Sequence, residues 1–147
     1  PDAYPLPRPV VEGCPYDFSF SGLKTAVINR IHNAAQKGEA LNTVDLAASL
    51  RGRVCDILIE NTMKAARDFG HTKIVLAGGV SANSELRRRM AQECELAGYT
   101  IFYPTLDLCG DNAAMVGAQA YYEYMAGHTA DAGLNAAATM DIGNLRY

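Results

Sequence analysis

Histidine is scarce in this sequence: His32, His71 and His128 are the three, and none lies within metal-pair spacing of another. Each therefore reads as a surface residue. The zinc-peptidase pattern His-Glu-x-x-His is also missing. Cysteine supplies no framework either. Cys14, Cys55, Cys94 and Cys109 are widely spaced, form no Cys-x-x-Cys pair and read as reduced thiols. No apolar run approaches the ~18–20 residues of a membrane span, and no signal-peptide pattern is visible. These gaps point to a cytoplasmic protein that makes no membrane contact. The first residue is Pro1, not methionine, which reads as a processed chain or a piece of something longer.

Charge of one sign is also lacking. The 147 residues carry a formal net charge of −3, so any nucleic-acid contact needs a local basic patch. The densest candidate is Arg87-Arg88-Arg89. On a helix such a run is usually a solvated face; the alternative is contact with nucleic-acid phosphates. With 49% hydrophobic and 20% charged residues the chain is ordinary for a globular protein. Its length suits one domain burying about 68–70% of its unfolded surface.

Proline is concentrated at one end. Five of the six prolines fall in residues 1–16, a lead-in that density keeps out of helix and that is expected to lie on the surface of a larger body. Phe18 and Phe20 then alternate with polar residues, as in a short strand or extended segment. Ser21 is a candidate N-cap, and Leu23, Val27, Ile31 and Ala34 follow helical spacing to a stop at Gly38. A long helix is predicted over 43–69, capped by Asn42 or Thr43, with Asp45 suiting the dipole of its first turn. Its expected buried stripe is Ala47, Leu50, Val54, Ile57, Leu58, Ala65 and Phe69, and Gly52 within it implies close packing or a bend.

A buried strand is predicted over 73–77, a helix over about 83–97 and a second strand over 100–104. Asp111 is a candidate cap for a helix over 112–126, and the tail from 128 has little periodicity. Helices alternating with two strands imply a parallel α/β arrangement, with a sheet smaller than usual.

The first strand ends in Gly78-Gly79, directly before a helix pattern. Two readings fit. It is a tight strand-to-helix turn with no ligand, or a place where a ligand approaches backbone that carries no Cβ, beyond the carboxyl end of a strand.

Three stretches together carry a resemblance: Asp17-Phe18-Ser19-Phe20-Ser21-Gly22-Leu23-Lys24, then Ala77-Gly78-Gly79-Val80-Ser81-Ala82-Asn83, then Cys109-Gly110-Asp111-Asn112-Ala113-Ala114-Met115. In order and separation they resemble the C-terminal half of the TsaD family of tRNA threonylcarbamoyladenosine transferases, formerly labelled glycoprotease. The resemblance covers about residues 5–127. It implies the second lobe of an actin-like, Hsp70-like (ribonuclease H-like) ATPase architecture with a helical insertion: a Pro-rich lead-in over 1–16, a lobe over 17–127 and a tail over 128–147.

The resemblance also implies an activity, transfer of threonylcarbamoyl from threonylcarbamoyl-adenylate to N6 of adenosine 37 in tRNA. It implies one divalent metal, iron or zinc, and TsaB and TsaE as bacterial partners. Gly78 and Gly79 match the adenosine-binding turn and Asn83 the nucleotide-contacting asparagine. Asp111 matches the metal-ligating aspartate; both Asn83 and Asp111 also suit helix caps. Cys109, beside Asp111, has no matching role, and no residue matches a catalytic base. Ser19, Ser21 and Lys24 are best read as strand edge and helix cap.

The family's His-x-x-x-His metal pair and Ser-Gly-Gly-His-Thr stretch have no counterpart here. The chain alone is therefore expected neither to hold metal firmly nor to catalyse transfer, and to self-associate through exposed apolar surface. Two other functions stay open: a nucleotide- or partner-binding lobe without chemistry, and a metallopeptidase whose ligands lie elsewhere.

Overall fold

The computed structural model describes residues 3–136, 138 and 139, and divides into two compact units, Pro1–Cys109 and Gly110–Tyr147. The first unit holds helix α1 (Ser21–Lys37), helix α2 (Thr43–Asp68), strand β1 (Lys73–Val75), helix α3 (Ser84–Ala97) and strand β2 (Thr100–Phe102). The second holds helix α4 (Ala113–Met125). The expected order of helix, helix, strand, helix, strand, helix is the observed one.

The strands run parallel, with Ile74 opposite Ile101, and α3 connects them. They are shorter than predicted, and the first is not buried along its length. Only Ile74 of β1 is buried, and Val75 is 71% exposed. This sheet is covered on one face, by α2 and α3, and alternate residues face away.

Helix α2 is the spine of the first unit. Asn42 caps it, its Oδ1 accepting from the Val44 and Asp45 amides at 3.1 and 3.2 Å, while its Nδ2 donates to the Asp45 carboxylate at 2.7 Å. The predicted stripe holds in part: Ile57 is buried and Leu50, Val54, Leu58 and Ala65 are half-buried. Ala47 and Phe69 are exposed, while Leu46, Cys55, Ile59, Met63 and Ala66 are buried. The reason is that α2 is packed on two sides. Cys55, Ile59, Met63 and Ala66 meet Ile74 of β1 and Leu86, Met90 and Cys94 of α3. Ile57 faces Leu23 of α1 and Leu6 of the lead-in, with Leu50 and Val54 half-buried beside them. One stripe at a single helical period cannot describe two faces. Each large side chain fully buried in these clusters contributes about 1.5–3 kcal/mol.

Gly52 is not closely packed: a Cβ there would meet nothing within 4 Å. Its carbonyl accepts instead from Arg89 Nη1 at 3.4 Å. The lead-in has no helix and lies against this same unit. Leu6 is buried, Tyr4 N donates to Ser49 Oγ at 3.2 Å, the Asn42 amide donates to the Tyr4 hydroxyl at 3.1 Å, and Arg8 pairs with Glu60.

Ser21 does not cap α1. It is the first helical residue, because Lys24 N already bonds the Phe20 carbonyl at 2.9 Å, and the cap position falls on Phe20 without a side-chain bond. Phe18 and Phe20 form no strand; their rings stack at 6.4 Å.

In the second unit the cap of α4 is Asn112, one residue beyond the expected Asp111, with Oδ1 accepting from Met115 N at 2.9 Å. No residue of α4 is buried. The tail is described through residue 136 and at 138 and 139, without helix or strand; the rest of it lies outside the described residues.

Candidate functional site

The Gly-Gly turn begins where β1 runs out of partners. Leu76 N still bonds the Phe102 carbonyl at 2.9 Å, and then Gly78 adopts φ 82°, ψ 170°, a backbone conformation that side chains disfavour. Gly79–Ala82 winds into a short 3-10 turn, so α3 starts only at Ser84. A Cβ built on Gly78 or Gly79 meets nothing within 4 Å. Glycine at 78 is explained by its φ. Glycine at 79 is explained by nothing among the described residues, and the space before both is open.

Asn83 is the N-cap of α3. Its Oδ1 accepts from the Glu85 and Leu86 amides at 3.0 and 3.2 Å. Its Nδ2 bonds no described residue. The cap therefore uses one atom of the amide: the oxygen is committed, and the two N–H donors are available.

The turn is held by a residue that the sequence marks only as part of a charged run. The Arg87 guanidinium donates through Nε to the Ser81 carbonyl and through Nη2 to the Pro104 carbonyl and the Cys109 sulfur, at 2.8 and 2.9 Å. It also lies 4.8 Å from the Tyr103 ring centre. The Arg87-Arg88-Arg89 run thus splits three ways. Arg87 braces the turn against the 104–109 loop, Arg88 pairs with Glu85 on the surface at 2.8 Å, and Arg89 reaches Asp56 of α2 at 2.6 Å. The Asp56 bond holds the Arg89 guanidinium above its ordinary pKa. The only sequence hint of the split was helical spacing: successive arginines point about 100° apart.

Ser81 is buried within the turn, and its hydroxyl has no hydrogen-bond partner among the described residues. Beside it, Phe20 and Lys24 of the FSFSGLK stretch and Ala77 and Val80 of the Gly-Gly stretch border one apolar groove of about 580 Å³. Two of the three sequence motifs therefore meet in the first unit. Ser19 and Ser21 lie apart from that groove, their hydroxyls 3.4 Å from each other.

The third motif opens the second unit. Asp111 is exposed and bonds no described residue, since Asn112 has taken the cap. Its carboxylate is thus available as a hard oxygen ligand. Among the described residues no three His, Cys, Asp or Glu side chains come together as a metal site. His32, His71 and His128 are all exposed, and His128 Nδ1 lies 2.7 Å from Glu123. Cys109 is buried, with its sulfur on Arg87 and the Thr105 carbonyl. All four cysteines are free thiols. No helix among the described residues is long and apolar enough to cross a membrane.

The family model described as TsaD, tRNA N6-adenosine threonylcarbamoyltransferase, matches residues 2–118. Proteins of that name from Staphylococcus saprophyticus, Moorella thermoacetica and Enterococcus faecalis are 44%, 48% and 47% identical to this chain. The matches cover 96%, 92% and 92% of this chain but 41%, 40% and 39% of those proteins. The chain therefore spans about 40% of the length of the curated relatives it matches.

Proposed function

The chain belongs to the TsaD family, tRNA N6-adenosine threonylcarbamoyltransferase, and from that premise we propose that it is part of an enzyme that threonylcarbamoylates tRNA. The donor is threonylcarbamoyl-adenylate and the acceptor is N6 of adenosine 37. The chain forms the second lobe of an actin-like architecture, with a lead-in over 1–16, a lobe over 17–127 and a tail over 128–147, and works in the cytoplasm. TsaB and TsaE are its partners where the host is bacterial.

The observation that carries this reading is the open turn at Gly78–Asn83. Backbone without Cβ atoms at 78 and 79 lets the adenylate approach closely, and Asn83 Nδ2 offers it hydrogen bonds while Oδ1 holds the helix. In the reaction the N6 nitrogen attacks the carbamoyl carbon, the bond from that carbon to the phosphate oxygen breaks, AMP leaves with that electron pair, and N6 releases one proton to solvent. Orienting the adenylate is the share of this chain. An iron or zinc ion would stabilise charge on the reacting groups, and Asp111 is the one residue here matched to it. The described residues do not by themselves make a site for such an ion.

Large apolar side chains in the first unit face solvent, among them Phe20, Ile28, Val75 and Val80. We expect the chain to self-associate when its natural neighbours are missing; a concentration-independent monomer in size-exclusion chromatography would contradict this.

The deciding experiment supplies tRNA and threonylcarbamoyl-adenylate to this chain, alone and mixed with the separately expressed remainder of the enzyme, TsaB and TsaE. Digested nucleosides are weighed by mass spectrometry. Threonylcarbamoyladenosine in the mixture only is the expected result. Product from the chain alone would overturn the division of labour. Nucleotide binding without product in a fully assembled mixture would favour a binding lobe without chemistry, and chelator-sensitive cleavage of a glycoprotein would favour a peptidase.

A further inference from the structure

The acidic balance of the chain hides a local excess of positive charge. Arg51 and Arg53 of α2 and Arg88 and Arg89 of α3 line one open pocket of about 550 Å³, against only two carboxylates, Asp56 and Glu85. The two carboxylates are already engaged. Asp56 receives Arg89 through Oδ1 at 2.6 Å and Arg53 through Oδ2 at 3.4 Å, and Glu85 receives Arg88 at 2.8 Å. Arg51 is exposed and pairs with no described residue. Arg53 keeps a buried Nε–H with no acceptor among the described residues. Four guanidinium groups against two carboxylates leave an excess of two positive charges, and Arg51 and Arg88 are the exposed members of the set, Arg88 held in place by Glu85 and by Gln92 at 2.9 Å.

Four of the nine residues that line the pocket are arginines, and the acceptors among the rest are taken. What it lacks is acceptor oxygen of negative charge. A phosphate group supplies that, and guanidinium forks match phosphate oxygens bidentately. We propose that this pocket between α2 and α3 is a phosphate-binding site for the RNA backbone, gripped chiefly by Arg51 and Arg88. The inference rests on the tRNA-modifying reading above and adds to it a second contact surface, made by residues other than those of the Gly-Gly turn. It also accounts for how a chain of net charge −3 engages a polyanion: the contact is local, and Asp56 aligns Arg53 and Arg89 without cancelling the set. Because phosphate contacts position and do not specify, the site serves tRNA in general and not one sequence.

The test is binding of fluorescently labelled tRNA by the full chain, followed by anisotropy over a range of salt concentrations. The double variant Arg51→Ala/Arg88→Ala is compared with a control that removes two exposed positive charges elsewhere, Lys37→Ala/Arg67→Ala. Both are checked for unchanged melting. Removing one bound phosphate from the interface lowers the slope of log K against log salt by about 0.7–0.9. The double variant is expected to bind at least tenfold more weakly at low salt, with the slope reduced by about 1.5, and the control is expected to match the unaltered chain.

Equal weakening in both variants, or none in either, overturns the site. So does absence of tRNA binding by the unaltered chain at low salt. A titration with inorganic phosphate separates the sources: saturable phosphate binding abolished by Arg51→Ala/Arg88→Ala, with tRNA binding intact, assigns the pocket to a small anion and overturns the RNA reading. The assembled transferase tells failure of the pocket from failure of the function. Product formed with an unchanged KM for tRNA in the double variant sinks the pocket and leaves the function standing; no product with unaltered protein sinks the function itself.

Discussion

Arg87 holds Cys109: its Nη2 donates to the cysteine sulfur at 2.9 Å across 22 residues of chain. The same nitrogen bonds the Pro104 carbonyl at 2.8 Å, and Nε bonds the Ser81 carbonyl. One guanidinium therefore ties the turn after β1 to the loop after β2. An apolar side chain could not replace it, because both segments present backbone carbonyls that need donors.

Replacing Arg87 leaves those carbonyls short of a charged donor. Arg87→Ala is expected to destabilise the chain by about 2–3 kcal/mol, in line with hydrogen bonds to charged groups. That corresponds to a fall in melting temperature of roughly 5–10 °C. Arg87→Lys keeps the charge but not the fork, so it recovers less than half of the loss. Thermal melts by circular dichroism check this; full recovery by lysine would show that charge alone matters.

How far the sequence anticipates these features depends on the distance over which the cause acts. Element order, the Asn42 cap and the glycine stops at 38 and 98 were legible because they are set by residues within a few positions. The α2 stripe was legible only in part, because α1 and the lead-in pack on one side of α2 and α3 on another. The caps at Ser21 and Asp111 each missed by one residue, within the spread expected of helix boundaries. Gly78, Gly79 and Asn83 were visible as a motif, but the separate use of the two Asn83 side-chain atoms emerges only from the fold. Arg87-Arg88-Arg89 was visible as a basic run with phosphate contact as one reading, but the bracing by Arg87 and the grouping of Arg88 and Arg89 with Arg51 and Arg53 were not, since each joins residues far apart in sequence.

Asp68 offers a pH-dependent test. Hydrogen bonds from Lys64 and then Tyr16 hold its carboxyl below the ordinary aspartate value. A depressed folded-state pKa contributes stability above the unfolded value, about 3.9, and loses it as pH falls through the folded value. Compared with Asp68→Asn, the native chain should melt higher by a constant margin between about pH 5 and 8. That margin should shrink as pH drops below about 4. Parallel curves down to about pH 2.5 would show that the cluster is not coupled to folding. The group is well exposed, so the margin itself is small.

The four thiols should separate by burial. Cys14 is exposed, whereas Cys55, Cys94 and Cys109 are buried. Burial raises the Cys55 and Cys94 thiols above their usual range, which lowers their thiolate fraction further. Titration of native protein with a thiol-reactive disulfide reagent near about pH 8 is expected to release one equivalent quickly, lost in Cys14→Ser. The other three should follow only in denaturant. More than one fast equivalent in the native chain would mean that the α2–α3 core or the 104–109 loop opens on the reaction timescale.

Asn83 allows its two tasks to be measured apart. Asn83→Ala removes the cap from α3 and should cost about 1 kcal/mol, together with adenylate binding. Asn83→Ser keeps a cap of similar strength through its hydroxyl oxygen but loses both amide donors. It is expected to melt within about 2 °C of the native chain while binding adenylate at least tenfold more weakly, read by isothermal titration with AMP on the assembled enzyme. If serine preserves both melting and affinity, the Nδ2 donors are idle and the residue is a cap alone. If serine and alanine lose affinity only in proportion to their loss of melting temperature, the turn acts through its shape. Only a drop in affinity without a drop in stability assigns the amide to the ligand, and that outcome is the one its geometry favours, with Oδ1 bonded twice to the helix and Nδ2 bonded to no described residue.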